Sequence, residues 1–395
     1  MKKLFSLLLL VVTTSGIAQN LIKGTVKDLT TLENMELVTV STLDQQHNTI
    51  SNTEGNFQLS YPDGTETIVF TYLGYAPLEV NLTNLPQDNV FYLEPTDFEL
   101  EEIVVISTPL NEFVEQLVKN SYNHLNAPFL LSTYYREFVK INDTYSKFSD
   151  GLIDYNVDKG RKKIKSDVVV KQSRAFKLNG DEESMLAAEM TSPLDLRKAI
   201  SRDCNFGVLD HVFDKKEFKK YSFIIKSQKD ANGNDVQTIY YEPLPEIEEP
   251  LYAGSLTYDP AKNLILAMEL QMAPSHRKYS KLRNFLVIKA RLDDIGYKCF
   301  FKVTNNDYML SYSCVYGDIY IKNKKKFDDN IIFKSDLIVT NFTSDLSSFN
   351  KKEKYRDKDL YQAGTNYTEE FWKKNNSILL TAEEEEIISS LKDVK

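Results

Sequence analysis

Leu264-Ile265-Leu266-Ala267-Met268-Glu269-Leu270-Gln271-Met272 is the stretch from which the rest of the chain is read. Leu264, Leu266, Met268, Leu270 and Met272 alternate with Ile265, Ala267, Glu269 and Gln271. A period of two places alternate side chains on opposite faces of a strand, which a helix cannot do. Ahead of the run, Asp259-Pro260-Ala261-Lys262 suits a type I turn with Pro at its second position. Downstream, Leu286, Ile288, Ala290 and Leu292 alternate with Val287, Lys289 and Arg291. Val315, Gly317, Ile319 and Ile321 then alternate with Tyr316, Asp318, Tyr320 and Lys322. Asn232-Gly233 is a strong hairpin signal, and Asp328-Asp329-Asn330 reads as a further break between strands. Residues 129–342 are thus expected to form a long antiparallel meander. A sheet that long must curl or split, so a curved sheet or half-barrel is expected.

Helices punctuate the strands. Thr108 suits an N-cap and Pro109 the first helical position. Leu110, Phe113, Val114, Leu117, Val118 and Leu125 then share one helical face, and residues 126–128 end the helix. A helical insert is expected between Asp181 and Ile200, with Met185, Leu186, Met190 and Leu196 as its apolar residues. Thr381 followed by Glu384 is a capping box for a last helix, which explains the acidic run Glu383–Glu386 without a docking role.

The first hundred residues differ in texture. Lys2 and Lys3 precede the apolar run from Leu4 to Val12, and Gly16-Ile17-Ala18 offers a small-residue cleavage site. This is the pattern of a secretory signal peptide, with cleavage expected between Ala18 and Gln19. The apolar run is too short for a membrane span, and no later stretch is long and apolar enough for one. After it, Gly24-Thr25-Val26-Lys27-Asp28, Leu37-Val38-Thr39-Val40, Thr53-Glu54-Gly55-Asn56-Phe57-Gln58-Leu59, Phe70-Thr71-Tyr72-Leu73-Gly74-Tyr75 and Val90-Phe91-Tyr92-Leu93 read as short strands. Pro62-Asp63-Gly64 is a turn among them. Six or seven strands at this spacing suggest a small β-sandwich.

In order and spacing these segments resemble the carboxypeptidase-regulatory-like domain, a transthyretin-like β-sandwich common in exported proteins of the Bacteroidetes. The resemblance covers about a fifth of the chain and implies a cell-envelope protein. It departs at Glu33-Asn34-Met35-Glu36, where that family has a Gly/Pro-containing turn. Leu100-Glu101-Glu102-Ile103-Val104-Val105 is similar to the segment that follows this module in TonB-dependent receptors, but the residues after it are too few for a plug and barrel. It can serve as an edge strand for its own sheet or for a partner. The order of elements in the rest of the chain resembles the periplasmic lipoprotein-carrier type of fold. The ending, Tyr367 to Trp372 and then Leu380 to Glu384, resembles the tail of exported Bacteroidetes proteins with the same module.

The expected class is therefore mostly β with a few helices: a transthyretin-like sandwich, then a larger antiparallel domain with covering helices. The expected divisions are a signal peptide at 1–18, the sandwich at 19–95, a linker at 96–108, the antiparallel α+β domain at 109–350 and a helical tail at 351–395.

Composition narrows the function. The chain has 395 residues, 42% hydrophobic and 27% charged, with Tyr 23 and Phe 22. These values exclude collagenous, disordered and multi-span membrane classes. A net charge of −9 argues against a nucleic-acid binder. A zinc peptidase needs a His-x-x-Glu pair and a further ligand. Three residues after His47, His124, His211 and His276 stand Ile50, Ala127, Asp214 and Tyr279, so no zinc centre is expected. Gly-x-Ser-x-Gly, the P-loop and the dinucleotide fingerprint are all missing from the sequence. Asp293-Asp294 and Asp328-Asp329 are read as turn or rim pairs, Lys324-Lys325-Lys326 as a solvated hairpin end, and Glu242 to Pro250 as a hairpin connection. The tyrosines suit half-exposed strands, or a surface for glycans or amphiphiles.

No cofactor and no enzyme activity are expected, with an enzyme of unknown class as the last alternative. The expectation is a non-catalytic binding or scaffolding role in the periplasm or at the periplasmic face of the outer membrane. The partner would be an envelope protein or a lipid-like ligand, the latter implying a carrier. One disulfide is sterically open. If Asn306-Asp307 is a two-residue loop, Cys299 faces Cys314 across the hairpin, while Cys204 stays free.

Overall fold

The computed structural model describes residues 19–45, 47–72, 74–95, 109–160, 163–177, 194–229, 234–285, 288–304, 307–323, 327–367 and 378–392. The signal segment and the stretch 96–108 lie outside them, as do 178–193, with most of the expected insert, Gly233 with the residues on either side of it up to Lys229 and Asn234, the lysine run 324–326, and the tail from 368 to 377.

The sandwich holds seven strands: β1 (Gln19–Asp28), β2 (Thr39–Thr42), β3 (Asn48–Ile50), β4 (Asn56–Pro62), β5 (Thr67–Thr71), β6 (Leu78–Asn81) and β7 (Val90–Leu93). One sheet runs β4-β1-β7 and the other β3-β2-β5-β6. Between them Phe57 meets Phe70 edge-on at 5.3 Å, and Phe70 stacks on Phe91 at 4.6 Å. The alternation along Asn56–Leu59 produces this, burying Phe57 and Leu59 fully. Gly55 is required by geometry: its φ is +75°, and a Cβ there would stand 2.6 Å from the Val26 carbonyl oxygen. β3 is a strand that the sequence pattern does not announce.

The second part is one open sheet of eleven antiparallel strands. They are β8 (Phe129–Ile141), β9 (Thr144–Lys159), β10 (Ile164–Lys177), β11 (Tyr221–Lys229), β12 (Asp235–Pro243), β13 (Tyr252–Asp259), β14 (Leu264–Met272), β15 (Arg283–Phe285), β16 (Ile288–Thr304), β17 (Asp307–Asn323) and β18 (Phe327–Thr343). The order is β10-β9-β8-β18-β17-β16-β14-β13-β12-β11, with β15 paired to the start of β16. Two meanders therefore meet where β18 pairs with β8, Ile331 opposite Ile141. β10 and β11, neighbours in sequence, are opposite edges of the sheet. The chain between them must cross a face, and it does so through α2 (Ala199–Cys204) and α3 (Asp210–Phe213). Ile200, Cys204, Phe206, Leu209, Val212 and Phe213 are buried there, with Phe206 stacked on Phe301 at 5.2 Å. α1 (Leu110–His124) covers the same face through Val114 and Leu117. Its Ser121 hydroxyl accepts a bond from the Ile265 amide. The two edges are treated differently. Tyr355 and Asn366 amides donate to the Val168 and Ser173 carbonyls along β10, whereas no described strand pairs the outer edge of β11.

Several expectations are corrected. Pro109 occupies the cap position of α1, not its first turn. Asp328 and Asp329 lie within β18, opposite Lys322 and Ile321, so they break nothing. Of the alternating run 286–292, Ile288 to Leu292 lie in β16, and Leu286 and Val287 lie outside the described residues. Within 351–392 the described tail is two short 3-10 turns and α4 (Ala382–Lys392). The cysteine pair is also displaced. The last pair of the β16–β17 hairpin is Thr304 with Asp307, and a bulge at Ser311 shifts the register again. Cys299 consequently faces Ser313, and Cys314 faces Lys298. One residue of offset sends the two side chains to opposite faces, and all three cysteines are free and buried.

Candidate binding groove beside the sandwich

α1, α2 and α3 occupy one face of the large sheet, and the sandwich docks on the other. Ile50 of the sandwich packs into a small core with Tyr134, Leu152, Tyr312, Cys314, Ile338 and Ile378. The last of these belongs to the C-terminal segment, which ties the parts together. The Asn52 side-chain amide donates to the carbonyls of Leu379 and Leu380 at 3.2 and 3.3 Å. The Ala382 amide donates to Glu54 at 3.1 Å. The expected capping box forms: the Glu384 amide donates to the Thr381 hydroxyl, and the Thr381 amide to the Glu384 carboxylate. That carboxylate also takes Arg136 Nη1 at 2.9 Å, while Arg136 Nη2 holds Asp336 at 3.0 Å.

Arg136 is only 4% exposed. Burial works against its charge, but Asp336 and Glu384 outweigh it and hold the guanidinium firmly protonated. Burial likewise pushes the Asp336 carboxyl up, and Lys334 with Arg136 more than reverses this, leaving it below the usual range. Next to this cluster, Asp150 accepts from the Tyr134 hydroxyl at 2.9 Å and from Arg174 Nε at 2.8 Å.

Beside the docked sandwich the same face opens into a groove of about 870 Å³ that crosses β8, β18, β17 and β16. Arg277, Lys278 and Ser280, from the loop after β14, form one wall, and Phe138 stands at the opposite side. Glu36 of the sandwich reaches Lys298 at 3.6 Å and adds its field at Lys334, one of the groove's residues. Asp293 and Asp294 are not a turn pair. They sit within β16, where Arg291 grips Asp293 through Nε and Nη2 and Arg277 pairs with Asp294. Asp318, beside them, has its carboxyl raised by burial and, after that, by the Asp293 and Asp294 charges. The Tyr316 ring covers Gly296 so closely that a Cβ there would fall 2.0 Å from it. The sequence run singled out Asp293 and Asp294 but not their pairing with Arg277, which comes from another element.

On the helix face one carboxylate stands out. Glu137 is buried and accepts from the Tyr135 and Ser149 hydroxyls and from the Leu360 and Tyr361 amides. Burial, then the nearby Asp359 charge, pushes it up to about 7. It anchors the turn Leu360–Ala363 against the sheet.

The near-motif His211 and Asp214 lines a second groove of about 690 Å³ with Glu217, Glu249 and Arg283. Among the described residues no three His, Cys, Asp or Glu side chains are arranged to hold a metal ion. Among the described residues no helix is long and apolar enough to cross a membrane.

Residues 22–105 match the model of the CarboxypepD_reg-like domain. No curated protein matches the chain. Among solved structures, a DUF1329 family protein from Desulfovibrio piger ATCC 29098 is 9% identical, with 62% of this chain and 99% of that one covered and a TM-score of 0.25. A LolA superfamily protein from Nitrosomonas europaea is 10% identical, with 60% and 97% covered and a TM-score of 0.20. A lipovitellin structure is 10% identical, with 65% and 29% covered and a TM-score of 0.23. At such low scores these likenesses bear on neither mechanism nor ligand.

Proposed function

We propose that this is an exported, non-catalytic binding protein of the cell envelope, and that it binds through the groove beside the sandwich. The observation that carries the reading is the groove itself. It is built on four adjacent strands, and its arginines are held in place by their own carboxylate partners. Side chains fixed before a ligand arrives lose little freedom on binding. The buried charges elsewhere on this face serve structure: Arg136, Asp336 and Glu384 join the tail to the sheet, and Asp150 holds Arg174.

Export is supported by the basic and apolar N-terminal residues and by the carboxypeptidase-regulatory-like module. The mature protein then starts at Gln19. Crosslinking in intact cells tests the role: it should trap an envelope component on a chain whose intact mass begins at Gln19. Recovery of uncrosslinked monomer alone, or of a chain retaining Met1 in the exported fraction, contradicts the reading.

A second reading, a carrier of a lipid-like ligand, rests on the sheet being unclosed, with an apolar core on its helix face. Tyr155, Tyr241, Met268, Phe301 and Phe333 are buried there. Native mass spectrometry of gently purified protein separates the two readings. Lipid mass retained on the chain supports the carrier, and a ligand-free mass contradicts it.

A further inference from the structure

We infer that the groove takes a carbohydrate, an oligosaccharide bearing little or no charge; this rests on the groove being the binding site. Its size falls in the range of small-molecule sites, roughly 300–1,000 Å³. Its charges do not suit an ion. Arg277, Lys278, Arg291 and Lys334 line the same space as Asp293, Asp294 and Asp318. A bare anion would meet three carboxylates, and a bare cation four positive side chains. A polyol suffers neither penalty, because each hydroxyl both donates and accepts.

The pairs are arranged for that task. Arg291 spends Nε and Nη2 on Asp293, which leaves the two protons of Nη1 outside that pair. Arg277 spends Nη2 on Asp294, which leaves Nε and Nη1 outside it. The Arg277 and Arg291 side chains are 48% and 41% exposed. Donors and carboxylate acceptors thus stand side by side in fixed planes, the arrangement that neighbouring sugar hydroxyls require. The groove also offers aromatic surface. Tyr316 lies over Gly296 and is half-buried, and Phe138 is half-buried across the groove. A sugar ring has an apolar C–H face that packs on such rings while its hydroxyls point to the charged walls.

Residues 19–395, applied to an array of plant, fungal and bacterial envelope glycans, test this. The expected result is binding to a related set of weakly charged glycans. Affinity for a soluble oligosaccharide from that set should change less than twofold between 50 and 500 mM salt, because no net charge pairing drives it. Arg291→Gln and Tyr316→Ala should each weaken it at least tenfold in protein that still melts in one cooperative transition. Gly296→Ala, which must displace the Tyr316 ring, should weaken it as well. Binding that survives all three variants overturns the placement. Binding only to highly charged glycans, with steep loss in salt, overturns the ligand class. No glycan bound at all also overturns it, and a protein or lipid adduct formed from the groove in cells would then preserve the binding reading with another ligand.

Discussion

Arg136 and Glu384 stand 248 positions apart in sequence and meet at 2.9 Å, both buried. The contact joins the middle of the large sheet to the first turn of the last helix. Glu384 does two jobs, closing the capping box and neutralising Arg136. Removing one partner of a buried pair costs about 3–5 kcal/mol, since the other charge stays behind without its counterion. Asp336 remains beside Arg136, so Glu384→Ala should fall near the low end, about 3 kcal/mol. Glu383→Ala touches only an exposed pair with Lys140 at 3.4 Å and should cost about 0–1 kcal/mol. Urea unfolding of both variants checks the difference.

The same segment decides how separable the sandwich is. A linker at 96–108 suggests two parts that come apart on mild proteolysis. Ile378, the Asn52 bonds to Leu379 and Leu380, and Glu54 at the Ala382 amide say otherwise. Full-length protein nicked between 96 and 108 should therefore stay together on a sizing column. A chain ending at 377 should release the sandwich once nicked. Release from the nicked full-length chain would contradict the strap.

Glu137 makes stability depend on pH. Its folded value, about 7, lies above the ordinary carboxyl value of 4.5. The folded state therefore holds the proton longer than the unfolded one, and stability falls as pH rises. The contribution is whole below about pH 4.5 and lost by the time pH passes about 7. At roughly 1.4 kcal/mol per pH unit, the loss totals about 3 kcal/mol. Glu137→Gln keeps the acceptor for Ser149, Leu360 and Tyr361 and cannot ionise. Unfolding free energies measured at pH 5 and pH 8 should fall less for the variant than for the wild type. Equal slopes would remove Glu137 from the account.

The thiols give a count. Denatured, unreduced protein should show three free thiols. In the folded protein they should react slowly, because burial raises Cys204 and Cys299 well above the ordinary thiol range and Cys314 to about 12. A count of one would mean that two of the three are bonded, which contradicts the free cysteines of the structure.

The strands were legible where the pattern is local. Leu264–Met272 and the turn at Asp259 follow from alternation and one proline, and the Thr381–Glu384 box follows from spacing. Contacts between distant residues were not legible. Cys299 and Cys314 were paired by a hairpin sum that takes no account of the bulge at Ser311. Asp328 and Asp329 looked like a break because acidic pairs favour turns, yet Lys322 and Tyr320 across the hairpin hold Asp328 in a strand. Nothing local says that β10 and β11 lie at opposite edges, or that Arg136 waits for Glu384. The groove was half legible. Asp293-Asp294 drew notice as a carboxylate pair, but its meaning comes from Arg277 and Tyr316, which other elements supply.

The most direct test of the central claim is site-specific photo-crosslinking in intact cells. A photoreactive phenylalanine replaces Lys278 at the groove wall in one variant and the exposed Glu79 of β6, in the sandwich, in another. A ligand held in the groove predicts an adduct from position 278 and none from position 79. No adduct from 278, or equal labelling from both positions, would contradict it.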